Sequence, residues 1–154
     1  MDNLDRILKD QPFLSGLSAD QLEFMAGCAR NVVFADGDVL FRDGQEGDSL
    51  FIIREGQVAL EINTPPHGRR VVETLERGDI IGWSWLFPPY KWHIDGRAQG
   101  SVRAIRFDGE CLRNKLEQDN ILGYALAKKL LAAAHQRLER VRLQKLDIFG
   151  KVSS

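Results

Sequence analysis

The stretch Gly37-Asp38-Val39-Leu40-Phe41-Arg42-Asp43-Gly44-Gln45-Glu46-Gly47-Asp48-Ser49-Leu50-Phe51-Ile52-Ile53-Arg54-Glu55-Gly56-Gln57-Val58 decides the fold. Short apolar runs, Val39–Phe41, Leu50–Ile53 and a third opening at Val58, are separated by Asp43-Gly44, Gly47-Asp48 and Glu55-Gly56. Glycine recurs at such points because tight turns need a positive φ, where a Cβ would clash. Strands this short, with a turn signal every several residues, specify a β-sandwich or barrel.

The same rhythm runs outward in both directions. Val32–Phe34 and Asp36-Gly37-Asp38 precede the stretch; Val58–Ile62, Pro65-Pro66-His67-Gly68, Val71–Leu75, Arg77-Gly78-Asp79 and Ile80-Ile81 follow it. Residues 30–107 are therefore read as β. Residues 1–29 are helical in pattern: Leu4, Ile7, Leu8 and then Leu22, Phe24, Met25 recur at helical spacing, with Pro12 and Gly16 as interruptions. Ser18 is placed to cap the second helix through its hydroxyl. Residues 108–150 are helical again. Asp108 is expected to cap a helix to about Gln118, and Asn120 a longer one to about Ile148. Gly150 is expected to stop it, with Lys151–Ser154 frayed. The expected fold is mainly β with flanking helices: an antiparallel double-stranded β-helix, or jelly-roll-like β-roll, followed by a long C-terminal helix, with residues 1–154 forming one domain.

Composition narrows the function classes. The 154 residues are 44% hydrophobic and 28% charged, with a formal net charge of −1, so no global field draws the chain to nucleic acid or to an anionic membrane. No apolar run approaches the ~20 residues of a membrane span. The start, Met1 to Lys9, mixes charge with Leu and Ile and does not read as a signal peptide. Cys28 and Cys111 stand far apart with no CxxC. They are expected to be buried small hydrophobes in a reducing cytoplasm, not a disulfide framework, a zinc site or an iron–sulfur cluster. His67, His93 and His135 fall on different elements, so no metal site is expected. No Ser-His-Asp order, paired-carboxylate site or P-loop stands at a workable spacing, so no enzyme is expected.

The stretch from Gly37 to Val58 resembles the front half of cyclic-nucleotide-binding domains, as found in the catabolite activator family of bacterial regulators, in kinase regulatory subunits and in gated channels. Leu75-Glu76-Arg77-Gly78-Asp79-Ile80-Ile81-Gly82 resembles the strand that enters their phosphate-binding cassette. The resemblance implies a cassette reading Phe-Gly-Glu-x-Ala-Leu, a short variable piece, then Arg-Ala. In it the glutamate holds the ribose 2′-OH, the arginine neutralises the cyclic phosphate, and a short helix N-terminus donates backbone N–H groups.

Here the matching run is Ile81-Gly82-Trp83-Ser84-Trp85-Leu86-Phe87-Pro88-Pro89-Tyr90-Lys91-Trp92-His93-Ile94-Asp95-Gly96-Arg97-Ala98. Without a gap, the family glutamate lands on Trp83 and the family arginine on Trp92. An insertion in the cassette instead makes Arg97-Ala98 the Arg-Ala pair, at the cost of a shortened last strand. Indole offers one N–H and no charge. Burying a cyclic phosphate without a cation costs several kcal/mol. The ligand candidates are therefore Gly82, Trp83, Ser84, Trp85, Leu86, Trp92, His93, Arg97 and Ala98. Trp83, Trp85, Phe87, Tyr90 and Trp92 read either as an aromatic pocket for some small anionic or aromatic ligand, or as a pocket filled by its own side chains, which is the favoured reading. No cofactor is assigned beyond a possible cyclic nucleotide or ligand of that kind.

In the C-terminal helix, Leu131, Ala134, Leu138 and Val141 lie near a/d spacing, with Ile148 in step and Lys145 as a polar break. The matching helix of the family forms a dimer seam, so a homodimer is expected. The basic residues beside the seam, Lys128-Lys129 and Arg137 to Lys145, read as solvated. Family regulators carry a DNA-binding domain beyond this helix, which is not expected here. The chain thus reads as a bacterial, cytoplasmic regulatory module for signal transduction. Its effector protein is unknown, and neither direct DNA binding nor membrane contact is expected.

Overall fold

The computed structural model describes the backbone of residues 3–153 and the side chains of 4–143. Six strands form the body: β1 (Ala29–Phe34), β2 (Val39–Phe41), β3 (Ser49–Asn63), β4 (Arg69–Leu75), β5 (Ile80–Ile81) and β6 (Asp95–Asp108). Every pairing among them is antiparallel, and β6 is the hub, bonded to β1, β2 and β3, while β3 carries β4 and β5. Helices α1 (Asn3–Lys9) and α2 (Ala19–Ala26), joined through a 3₁₀ turn at Pro12–Leu14, precede the roll; α3 (Gly109–Gln118) and α4 (Asn120–Ser153) follow it. This is the β-roll with flanking helices that the glycine rhythm implied.

One expected turn is absent. Leu50–Ile53 and Val58–Ile62 are the two halves of one long strand, β3, with register shifts on both sides of Glu55 against β6. Gly56 is still required there: its φ is +92°, and a Cβ would sit 2.3 Å from the Ser101 carbonyl oxygen. The glycine marks a bend in a strand, not a reversal.

Strand alternation sends side chains to two separate cores. Leu50 and Ile52 of β3, with Ile105 and Phe107 of β6, pack on the helical side with Leu8, Met25, Leu112, Leu122, Leu126 and Leu130. Phe51 and Ile53, with Val102 and Ala104, fill the interior of the roll with Phe41, Leu60, Leu75 and Trp92.

The caps follow the sequence in part. Ser18 accepts from the Gln21 N–H, and the Gln21 side chain accepts from the Ser18 N–H, closing a capping box on α2. Asp108 accepts from the backbone of Glu110 and Cys111 at the start of α3. The cap of α4 is Asp119, whose carboxylate accepts from Leu122 N–H at 3.1 Å, not Asn120. Asp and Asn are near-equal caps, so sequence alone left the choice one residue off. The helix also runs through Gly150 to Ser153 instead of stopping there. Lys145 and Ile148 lie outside the described side chains.

The cysteines correct the sequence reading. Cys28 and Cys111 are joined in a disulfide across 83 residues of chain, with their Cα atoms 5.7 Å apart. The β1–β6 ladder brings them together. Ala29 pairs with Phe107, and the Asp108 N–H donates to the Cys28 carbonyl at 2.8 Å, so the first turn of α3 sits beside Cys28.

Candidate functional site

Between β5 and β6 the chain from Gly82 to Ile94 forms the cassette segment. It contains no helix. A turn closed by Leu86 N–H to the Trp83 carbonyl at 3.0 Å is followed by Pro88-Pro89, whose nitrogens donate nothing. The ordered row of helix N-terminal donors that the resemblance implied is replaced by this turn and a second one, closed by Tyr90 N–H to the Phe87 carbonyl at 2.9 Å.

The aromatic residues of this segment go different ways. Trp92 enters the roll, 4% exposed, and lies flat on Phe41 with ring centroids 3.7 Å apart and planes 9° from parallel. Gly82, with φ +110°, is what lets it in: a Cβ there would stand 2.9 Å from the indole Cη2 of Trp92. Trp85 turns to the helical side, fully buried, and its Nε1 donates to the Gly82 carbonyl at 2.9 Å. Trp83 packs on that same core with the Arg137 guanidinium 4.9 Å from its ring centre, and its buried Nε1 has no hydrogen-bond partner. Phe87 is 60% exposed, and Tyr90 lies under the Arg113 guanidinium at 4.4 Å. The five aromatics therefore line no common cavity.

The remaining candidates are scattered. Arg97 sits on β6, its Nε 3.1 Å from a Glu61 carboxylate oxygen and its Nη1 donating to the Gly37 carbonyl at 3.1 Å. Ala98 is buried beside it, paired with Val58. Lys91 and His93 are exposed; Ser84 packs close to Gly47, and Leu86 lies partly buried against the helical core. Among the described residues no cluster of His, Cys, Asp or Glu has the makings of a metal site, and no helix is long and apolar enough to cross a membrane.

Sequence reading missed a group at the open end of the roll. Arg30 of β1 and Arg106 of β6 are direct cross-strand partners. With Ser49, Asp48, Phe41 and Trp92 they line a cleft of about 490 Å³. Arg106 Nε donates to the Ser49 hydroxyl at 2.6 Å, and its Nη2 is 3.5 Å from Asp48. The available signal was alternation: Val102 and Ala104 point into the roll, and Arg106 continues their face.

On α4, Leu122, Leu126 and Leu130 are buried against the roll, and Arg137 anchors the helix by donating to the Ile80 carbonyl at 2.9 Å and to Glu73 at 3.0 Å. Leu131, Leu138 and Val141 lie on another face, 72%, 50% and 37% exposed. That face extends back through Ala127 to Tyr124, in steps of three and four residues.

The fold and the cassette position define a β-roll module with flanking helices. A family model for the cyclic nucleotide-binding domain matches residues 31–119, and the chain belongs to that family. It is similar to a cyclic nucleotide-binding protein of Geobacter metallireducens, with 29% identity, a TM-score of 0.78, and coverage of 90% of this chain and 99% of that one. It is 31% identical over 104 residues to a cAMP-dependent protein kinase regulatory subunit of Schizosaccharomyces pombe, covering 68% of this chain and 24% of the relative. It is 23% identical over 145 residues to a CRP-like cAMP-activated global transcriptional regulator of Mycobacterium tuberculosis, covering 94% of this chain and 63% of the relative. The chain thus spans a quarter of the kinase subunit and under two thirds of the regulator.

Proposed function

We propose that this chain is a non-catalytic regulatory module that keeps the cyclic-nucleotide-binding fold but closes the usual pocket with its own tryptophan. It acts on a separate effector protein, as a homodimer through α4, and does not itself contact DNA. The observation that carries this reading is Trp92 stacked on Phe41 over Gly82, inside the roll, where the gapless register puts the family's phosphate-binding arginine. A cyclic phosphate in that place would meet an indole and no charge, and its desolvation would go uncompensated.

The second reading is binding of cyclic AMP or cyclic GMP through Arg97 and the cassette backbone. The names of the kinase and regulator relatives favour it. It requires Arg97 to leave both Glu61 and the Gly37 carbonyl and to cross the roll. A third role, dimerisation with no ligand at all, uses only the α4 face. Isothermal titration of cyclic AMP and cyclic GMP into the wild type and Arg97→Ala separates the readings. The closed-pocket reading expects no binding tighter than millimolar, since micromolar affinity needs about 8 kcal/mol. Micromolar binding abolished by Arg97→Ala establishes the second reading instead.

A further inference from the structure

We propose that the open end of the roll holds an anion-binding site built on Arg30 and Arg106, and that its ligand is a small phosphorylated metabolite. The site uses none of the cassette's own polar groups. Arg30 shares a strand face with Val32 and Phe34, and Arg106 with Val102 and Ala104; the four apolar residues pack in the roll interior. Both arginines thus stand on the inward face of adjacent strands, where the pattern calls for apolar side chains. They are in direct register, which brings their Cβ atoms to about 5 Å, and like charges so placed repel.

The neighbourhood leaves that repulsion only partly answered. Arg106 spends Nε on the Ser49 hydroxyl and Nη2 on Asp48, whose side chain is 56% exposed. Arg30 makes no ion pair or side-chain hydrogen bond among the described residues. Glu46, the other acid lining the cleft, pairs with neither arginine. A tetrahedral oxyanion between two guanidinium forks satisfies both cations at once, while the Ser49 hydroxyl, which donates to Asp48 Oδ1 at 2.9 Å, orients Arg106. The wall beside it is the Phe41–Trp92 stack, so an organic group on the phosphate finds an aromatic edge. The cation missing from the cassette is in effect supplied across the wall of Trp92 by the β1–β6 ladder.

The test is a titration of sodium phosphate against sodium chloride at matched ionic strength, followed by amide, indole and arginine Nε–H signals in ¹H–¹⁵N spectra. The Trp92 indole and Arg106 Nε–H signals should shift saturably in the low-millimolar range. Arg30→Gln and Arg106→Gln should each weaken the site about tenfold, the loss expected for one hydrogen-bonded charge. Arg97→Gln should leave it unchanged. If Arg106→Gln loses signal dispersion, Arg106→Lys, which keeps the charge and loses the fork, replaces it and should bind more weakly. Shifts that track ionic strength alone, or constants equal in wild type and Arg30→Gln, overturn the proposal. The proposal rests on the closed-pocket reading only for the position of Trp92, and a cyclic AMP arm keeps the two apart. Cyclic AMP binding lost in Arg30→Gln supports this site. Tight cyclic AMP binding lost only in Arg97→Ala sinks the closed pocket, while the phosphate result still decides this proposal.

Discussion

Arg137, midway along α4, reaches back to Glu73 on β4 with its Nη2 3.0 Å from the carboxylate. Both side chains are largely covered, 15% and 19% exposed, and the same guanidinium donates to the Ile80 carbonyl and lies over Trp83. One residue thus ties the long helix to the strand pair that leads into the cassette. Removing it takes one donor from the Ile80 carbonyl and leaves the largely covered Glu73 carboxylate with Arg140 alone, at 3.5 Å.

Arg137→Ala is expected to cost about 2 kcal/mol, the range for losing a charged hydrogen-bond partner at a partly screened site. For a domain of this size that lowers the melting temperature by roughly 5 °C. Thermal unfolding by circular dichroism measures it. A drop no larger than that of Arg142→Ala, an exposed i,i+3 pair on the same helix, means that Arg137 does not anchor α4.

Reduction should destabilise the chain strongly. The Cys28–Cys111 link closes a loop of 83 residues, for which the chain-entropy treatment gives about 4–5 kcal/mol. Melting with and without a thiol reductant should differ by on the order of 10 °C. Cys28→Ser should melt like the reduced wild type and ignore the reductant. The fold itself should survive, since Asp108 N–H to Cys28 carbonyl and Lys115 to the Phe24 carbonyl hold α3 without the sulfurs. Identical melting curves with and without reductant in oxidised protein count against the link.

Trp92→Ala should cost about 3–5 kcal/mol, the usual range for emptying a buried tryptophan site. The lost contacts are the Phe41 face and the approach to Gly82. Denaturant unfolding reads the cost directly. If the variant is as stable as wild type, the indole does not fill the roll and the closed-pocket reading loses its main support. Trp92→Phe, which keeps a stacking ring, should recover part of the loss.

The roll was legible because its determinants are local: glycine at turns and alternation along strands, both written within a few residues. The bend at Gly56 was not, because the same Gly serves a reversal or a bulge, and only the β6 partner decides which. The cysteines were misread for a related reason. Their closeness is a product of the β1–β6 register, not of spacing along the chain. At the cassette, the gapless register sets Trp83 and Trp92 against the family's polar pair, yet sequence alone could not say that Trp92 enters the roll and Trp83 joins the helical core. Arg30 and Arg106 escaped notice because each is unremarkable alone; they matter as cross-strand neighbours, which needs the register.

Tyr124, Ala127, Leu131, Ala134, Leu138 and Val141 recur at three- and four-residue steps, the spacing of a two-helix seam. The apolar stripe that α4 needs for its own roll is already supplied by Leu122, Leu126 and Leu130. Leu131, Leu138 and Val141 of this second stripe belong to neither core, and leaving Leu131 and Leu138 at 72% and 50% exposure sets aside burial worth about 2 kcal/mol per leucine. The expected outcome is that a second copy, antiparallel or parallel, covers it by presenting the same face. Leu138→Asp places a carboxylate in the middle of that seam and should convert the dimer to a monomer, while the thermal transition of the roll stays within a few degrees. Light scattering across the micromolar range checks both species. A wild-type monomer at high micromolar concentration, or a Leu138→Asp variant that still dimerises, removes α4 as the seam. Arg142→Ala, beside the stripe but off it, should dimerise as wild type does, which separates burial of the seam from the basic character of the helix.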